Sequence, residues 1–264
     1  MKKVVFPFLF VTFFWLTFVS CDKDNGDGNN VAAVKLLSSI VKHDGDYQKF
    51  EYDSEHRISK ILWYVNGETT PRWSDTYTYS GNNIKRVSVE AEYPDGGTTN
   101  EFIKSGNTVT SKWWYNSDPA DVRTGNTFTL TGDGLLSKVV SAILDLVFES
   151  SFQYQGGNLT TWMSKEELFE ETTNEGVTTF KYDAKNAPFV NCQTPKWLLV
   201  WLFDYEIGIH NNAIEMSLLN DAGDESKLFF AYEYDDDGYP TKKTSSYTEG
   251  VFEDTWVTRF TYNK

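Results

Sequence analysis

The sequence predicts an all-β fold: an antiparallel up-and-down meander of about 16 strands forming a closed or nearly closed barrel-like sheet, with one short inserted helix near 195–203. Three observations predict it. An aromatic-x-aromatic unit followed by a Gly/Asn/Asp-rich turn recurs about every 26 residues from residue 50 to the end. Between these units lie stretches of period two and a second set of hairpin signals, such as Asn66-Gly67 and Pro94-Asp95-Gly96-Gly97. One apolar run, Thr194 to Phe203, departs from that period.

The first residues are of a different kind. Lys2 and Lys3 precede an uncharged apolar run, Val4 to Val19, that ends at Ser20-Cys21. A positive start and an apolar stretch this short fit a secretory signal better than a membrane-spanning helix. This end resembles a bacterial lipoprotein signal peptide, with residues 1–20 as the signal and Cys21 as the cysteine that is lipidated. Phe18 stands where that pattern usually has Leu. Asp22 to Asn30 contains no apolar residue, so 21–33 is expected to be a flexible tether. Acidic residues just behind the cysteine also resemble the surface-export signal of Bacteroidetes-type lipoproteins. That resemblance implies an outer-membrane, lipid-anchored location with an outward-facing domain.

The β domain, 34–264, is read unit by unit. Phe50-Glu51-Tyr52-Asp53 leads into Arg57-Ile58-Ser59-Lys60, and Tyr77-Thr78-Tyr79-Ser80 leads through Gly81-Asn82-Asn83 into Ile84. Further copies begin at Phe102, Phe128, Phe152, Phe180, Tyr232 and Phe260. Residues two apart on a strand share a face, so each unit sets two large side chains side by side on one surface. Asp and Asn then hydrogen-bond their own backbone in the turn. From Ile84 to Tyr93 the alternation continues, with Val87, Val89, Ala91 and Tyr93 opposite Arg86, Ser88, Glu90 and Glu92. Lys138 to Phe148 is expected to keep this register as strand. The units are 24 to 28 residues apart except between Tyr182 and Tyr234, which are 52 apart. A degenerate copy, Ile207 to Ile214, is expected to fill that gap. Pro195 at the head of Lys196-Trp197-Leu198-Leu199-Val200-Trp201-Leu202-Phe203 marks the inserted helix, packing on or plugging the sheet.

These units resemble two families. The Tyr-Asp-turn pattern is similar to the tyrosine-aspartate repeats of large secreted shell-forming proteins, whose period is shorter. It is more similar to a group of Bacteroidetes lipoproteins of unknown function with a porin-like β fold. The shared features are the signal, units such as Tyr232-Glu-Tyr-Asp-Asp-Asp-Gly238, and a late Tyr182-to-Phe189 segment leading through an apolar helix to Asn211-Asn212. Ala187 departs from the Asn expected before Pro188. The resemblance implies the porin-like fold and carries no catalytic residue.

Composition narrows the function. A formal net charge of −14 and no Lys/Arg cluster exclude nucleic acid as a partner. With Cys21 lipidated, Cys192 is left alone and reads as a small buried hydrophobe. His43, His56 and His210 lie in separate units without zinc-ligand spacing, so no metal or cofactor is expected. Glu166-Glu167 with Glu170-Glu171 is the carboxylate cluster nearest to a hydrolase pair, and reads more simply as a solvated hairpin end. Asp235 to Asp237 supplies too few oxygens by itself for calcium, and sister units carry Ser80, Thr131 or Gln155 in place of Asp235. The expectation is therefore a cell-envelope lipoprotein acting as a non-enzymatic structural or protein-interaction module, its partners the membrane, through Cys21, and an envelope protein. The alternative is a surface glycan binder that stacks sugars on Trp113 and Trp114, the best-placed of the tryptophans; a hydrolase or integral pore ranks below both.

Overall fold

The computed structural model describes residues 34–263, apart from 94–95, 144–145, 169–170, 204–207 and 250–251. The first eight strands are β1 (Leu37–Val41), β2 (Tyr47–Tyr52), β3 (Ile58–Tyr64), β4 (Trp73–Ser80), β5 (Asn83–Glu90), β6 (Thr98–Ser105), β7 (Thr108–Tyr115) and β8 (Asp118–Leu130). β9 (Leu136–Ile143), β10 (Leu146–Gln155), β11 (Asn158–Leu168) and β12 (Glu171–Tyr182) follow. The short helix α1 (Lys196–Leu202) intervenes before β13 (Ala213–Asn220), β14 (Glu225–Tyr234), β15 (Pro240–Glu249) and β16 (Phe252–Tyr262). Each strand pairs antiparallel with its chain neighbours, and β1 pairs with β16, so the sheet is a closed barrel of 16 strands. Lys138 to Phe148 lies within β9 and β10 apart from 144–145, which are outside the described residues. The signal segment 1–20, Cys21 and the tether 21–33 also lie outside them.

The first aromatic of each unit defines the interior. Phe50, Tyr77, Phe102, Phe128, Phe152, Phe180 and Phe260 are all buried. They face the segment between β12 and β13, which turns into the barrel and carries α1. Trp197 lies 5.6 Å from Phe102 and 5.2 Å from Phe128 between ring centroids, and Phe203 lies 5.7 Å from Phe50. Trp197, Leu198, Leu199 and Val200 are all buried, so α1 has no solvated stripe. A seven-residue helix is far too short to persist alone in water, and the surrounding wall holds it.

This inward segment corrects the reading of the 52-residue gap. Tyr182 pairs with Ala213, so β12 and β13 are one hairpin whose turn has expanded into the plug. Gly208 to Asn212 is not strand, and Ile207 lies outside the described residues. Among the described residues the gap therefore holds one enlarged unit and no further strand.

In three units the second aromatic is a tyrosine whose hydroxyl does a specific task, while Tyr234 donates to the Asp183 carboxylate instead. Pairing between hairpins stops short of the turns, and the tyrosine reaches across to the carbonyl left over. Tyr52 donates to Leu37 O at 2.7 Å, Tyr79 to Ile58 O at 2.8 Å and Tyr262 to Pro240 O at 2.9 Å. In each case the acceptor is the first residue of the preceding strand. The hydroxyls are largely shielded: burial pushes Tyr79 up to about 12 and Tyr52 and Tyr262 higher still.

The turns that follow are built alike. Asp53 N donates to Arg57 O and His56 N to Asp53 O; Asp235 N donates to Tyr239 O and Gly238 N to Asp235 O. The fourth residue is left-handed in both, with φ +62° at His56 and +78° at Gly238. His56 is the one non-glycine residue with positive φ among the described residues.

The outer face alternates with this interior and carries charge. Lys112 and Glu101 pair at 2.9 Å, Lys138 and Glu149 at 2.7 Å, Lys181 and Glu215 at 2.9 Å, and Lys242 and Glu233 at 2.7 Å. These pairs are spread around the barrel from β6 to β15. Being exposed, they add little stability.

Relieving the left-handed cost at a turn of otherwise glycine type should stabilise the barrel. His56→Gly is expected to raise unfolding free energy in urea by about 1 kcal/mol, part of the left-handed penalty being offset by glycine's greater freedom when unfolded.

Candidate functional site

Above the plug, the inward face changes character. The residue two before the first aromatic lies on the same face and is polar in most units: Gln48, Asp75, Asn100, Asn126, Ser150, Thr178 and Thr258. They form a polar tier over the aromatic tier. Trp73 and Trp256 lie one inward position further from the repeat turns, while Trp63 and Trp113 sit across from Gln48 and Asn100, and Trp162 across from Phe152. Trp63, Trp73, Trp113, Trp162 and Trp256 all fall on the lumen face by register, as does Tyr115. None of these aromatics is fully buried.

The clearest concavity in this region is a cavity of about 320 Å³. Phe203, Leu202, Ile40 and Phe260 form its base; Trp63, Trp256, Gln48, Lys243 and Thr258 form its walls. Lys42 and His43, both exposed, stand at its mouth. Gln48 and Lys243 are 7% and 4% exposed. The Lys243 ammonium lies 5.0 Å from the Phe230 ring centroid, a cation–π distance.

Trp63 is fixed from behind. Its Nε1 donates to Asp75 Oδ2 at 3.0 Å, and Arg86 contacts both carboxylate oxygens of Asp75 at 3.0 Å. Asp75 is only 2% exposed, so this pairing is what makes its charge tolerable inside the wall. The indole thus lines the cavity with its N–H already occupied.

A second cavity, of about 580 Å³, lies at the turn end, between Arg57, Tyr79, Lys104, Asp133 and the start of α1. Thr194 there accepts from Ile58 N at 2.7 Å, and Gln193 N donates to His56 O at 3.0 Å. Asn191 and Asn158 make further ties, from the plug to Tyr239 and from the wall to Asn211. These polar contacts anchor the plug to the repeat turns.

The residues singled out from the sequence are scattered. Trp113 and Trp114 point to opposite faces. Trp113 lies on the lumen wall, 5.4 Å from Tyr115, with Arg123 5.0 Å from its ring; Trp114 lies outside, with Lys85 at 5.7 Å. They are not a coplanar pair. His43 is at the cavity mouth, His56 in a turn and His210 beside Gly157, so the histidines do not converge. Glu166 lies on the lumen face and Glu167 outside, near Lys165; Glu170 is outside the described residues. Cys192 is buried, and burial pushes its thiol up, away from the reactive thiolate. The residues missed were Gln48 and Lys243. The signal for Gln48 was available, since a polar residue two before Phe50 must share the aromatic face.

Asp235 is engaged within its own turn and across the barrel seam. It accepts from Tyr239 N at 3.0 Å and Asp237 N at 3.1 Å, while Lys35 donates to it at 2.6 Å and to Asp237 at 2.8 Å. Partial burial pushes its carboxyl up, but Lys35 and the two backbone N–H groups outweigh this and hold it below the usual carboxylate range. Asp53 is lowered in the same way, by the Arg57 and Glu55 N–H groups and the Arg57 guanidinium.

No family model matches the chain, and no curated protein matches it in sequence. Among solved structures, the fold is similar to that of a porin-like protein from Bacteroides uniformis ATCC 8492. The two share 13% identity and a TM-score of 0.50 over 86% of this chain and 96% of that one. A porin-like protein from Bacteroides vulgatus ATCC 8482 shares 14% identity and a TM-score of 0.46 over 86% and 99%. At this distance the likeness is one of fold.

The lowered carboxylates predict acid lability. Their contribution is complete above the unfolded value, about 3.9, and is lost as pH falls through the lower folded values. Unfolding midpoints should therefore fall on acidification below about pH 4. Lys35→Met should lower the neutral-pH midpoint and flatten that acid slope, measured by thermal melts across pH.

Proposed function

We propose that this chain is a cell-envelope lipoprotein, anchored through lipid on Cys21, whose barrel is a non-enzymatic binding or structural module and not a channel. The observation that carries the reading is the pairing of a plugged lumen with a charged outer wall. A 16-strand barrel that conducts needs a continuous aqueous path. Here α1 and its flanks pack inside the barrel against Phe50, Phe102 and Phe128 and obstruct such a path. A barrel embedded in lipid needs an apolar outer band roughly 25 Å tall, and a lysine at mid-depth costs about 2–4 kcal/mol. The outer Lys–Glu pairs fit a wall that faces water. The short apolar run before Ser20-Cys21 supports the anchor, and the acidic tether behind it supports an outward-facing domain on the outer membrane.

A second reading, a surface glycan binder, is favoured by the tryptophans along the lumen wall. The tryptophan face and adjacent polar groups are the chemistry that sugars use.

Both halves of the main reading are testable on the full chain. Expressed in a Gram-negative host, it should incorporate labelled fatty acid and fractionate with membranes. Cys21→Ala should lose the label and appear in the soluble fraction with its β-sheet circular dichroism intact. Reconstituted protein should give no conductance across planar bilayers. Cys21→Ala protein that stays in carbonate-washed membranes, or stepwise conductance, would contradict the reading.

A further inference from the structure

We propose that the 320 Å³ lumen cavity over Leu202 and Phe203 is a binding site for one polyhydroxylated ring, either a free pyranose or the terminal sugar of a glycan. The inference rests on the plugged-barrel reading above, and adds the place and the chemistry of the ligand. Trp113 and Trp114 take no part in it.

Size is the first support. The cavity is at the lower end of the roughly 300–1,000 Å³ spanned by small-molecule sites, which suits one ring and not an extended chain. The second is the pair of indoles. Trp63 and Trp256 are both half-buried in the cavity wall, and the base is aliphatic and aromatic. Because Asp75 holds the Trp63 indole N–H, that ring is pre-organised and loses little freedom on binding.

The third support is an unmet polar group. Gln48 is more than nine-tenths buried and lines the cavity, yet its Oε1 has no hydrogen-bond partner among the described residues. A buried amide oxygen left unpaired is unfavourable, and a ligand hydroxyl would satisfy it. Lys243 and Thr258 place further donors on the adjoining wall. A purely apolar ligand would fill the base and leave Gln48 unmet. A flat aromatic would cover the indoles and offer nothing to the polar edge. A pyranose has both an apolar C–H face and a rim of hydroxyls. Lys42 and His43 leave the mouth open to such a ligand, and tolerate an acidic substituent on it.

The test is isothermal titration of the full chain, purified in mild detergent, with methyl pyranosides of neutral hexoses, N-acetylhexosamines and uronic acids, and with tetrasaccharides ending in the same rings. Saturable one-to-one binding is expected from at least one class. Methyl glycosides binding as well as the tetrasaccharides indicates a free sugar; tetrasaccharides alone indicate a glycan end; both support the site. Gln48→Leu and Trp256→Ala should each weaken binding at least tenfold, whereas Trp114→Ala on the outer wall should leave it unchanged. Thr258→Val, a near-isosteric change on the same wall, replaces either variant that loses its β-sheet circular dichroism, and should weaken binding severalfold. No binding by any sugar, or binding indifferent to every inner-wall variant, would overturn the proposal. Conductance across a bilayer would instead overturn the plugged-barrel reading, so the two failures are told apart.

Discussion

A closed sheet of 16 strands encloses more space than its own side chains can fill, and the rest of this structure answers that constraint. One hairpin turn, between β12 and β13, is enlarged and folded inward. Phe189, Trp197, Leu198, Leu199 and Phe203 then supply the core that the wall cannot. The wall meets the plug with one aromatic from nearly every unit, which is why that position repeats. The same geometry explains the tyrosines. Near the turns the strands of neighbouring hairpins splay around the plug, and the tyrosine hydroxyl takes up the carbonyl that the ladder leaves over.

Because the plug enters from the turn end, the lumen is layered along the barrel axis. Tyrosines and turns come first, then the aromatic tier against α1, then a polar tier with Trp63 and Trp113 across from it, then Trp73 and Trp256. Chemistry concentrates where the third and fourth tiers meet. There Gln48, Asp75 and Lys243 are buried beside indole rings, and Asp75 is bound to Arg86 and Trp63. On the outside the same alternation presents threonine, lysine and glutamate together with exposed Ile103, Val177, Leu219 and Phe229. The closed barrel thus combines a plug packed into its lumen with Lys–Glu pairs on its outer wall.

Much of this was legible in the sequence because it is local. Strand period, turn chemistry and the spacing of Phe50, Tyr77, Phe102 and Phe128 each depend on residues within a few positions, and they gave the strand number and the helix near 195–203. The 52-residue gap was misread because a spacing of two periods looks alike for two units or for one unit with a long turn. Only the pairing of Tyr182 with Ala213 separates them. The cavity was missed for a related reason: Gln48, Lys243 and Trp256 come from opposite ends of the chain and meet only when β1 closes on β16. Even so, the parity rule that placed the aromatics inside also places Gln48, Asp75 and Trp113 inside, and could have been carried two residues further.

Dependence of the barrel on its plug is tested most directly by unfolding Trp197→Ala, followed by far-ultraviolet circular dichroism for the sheet and near-ultraviolet circular dichroism for the packed aromatics. A wall that is held by its plug predicts coincident transitions, with stability reduced by about 3–5 kcal/mol. A sheet that melts where the unsubstituted protein does, after the aromatic signal has already collapsed, would contradict it.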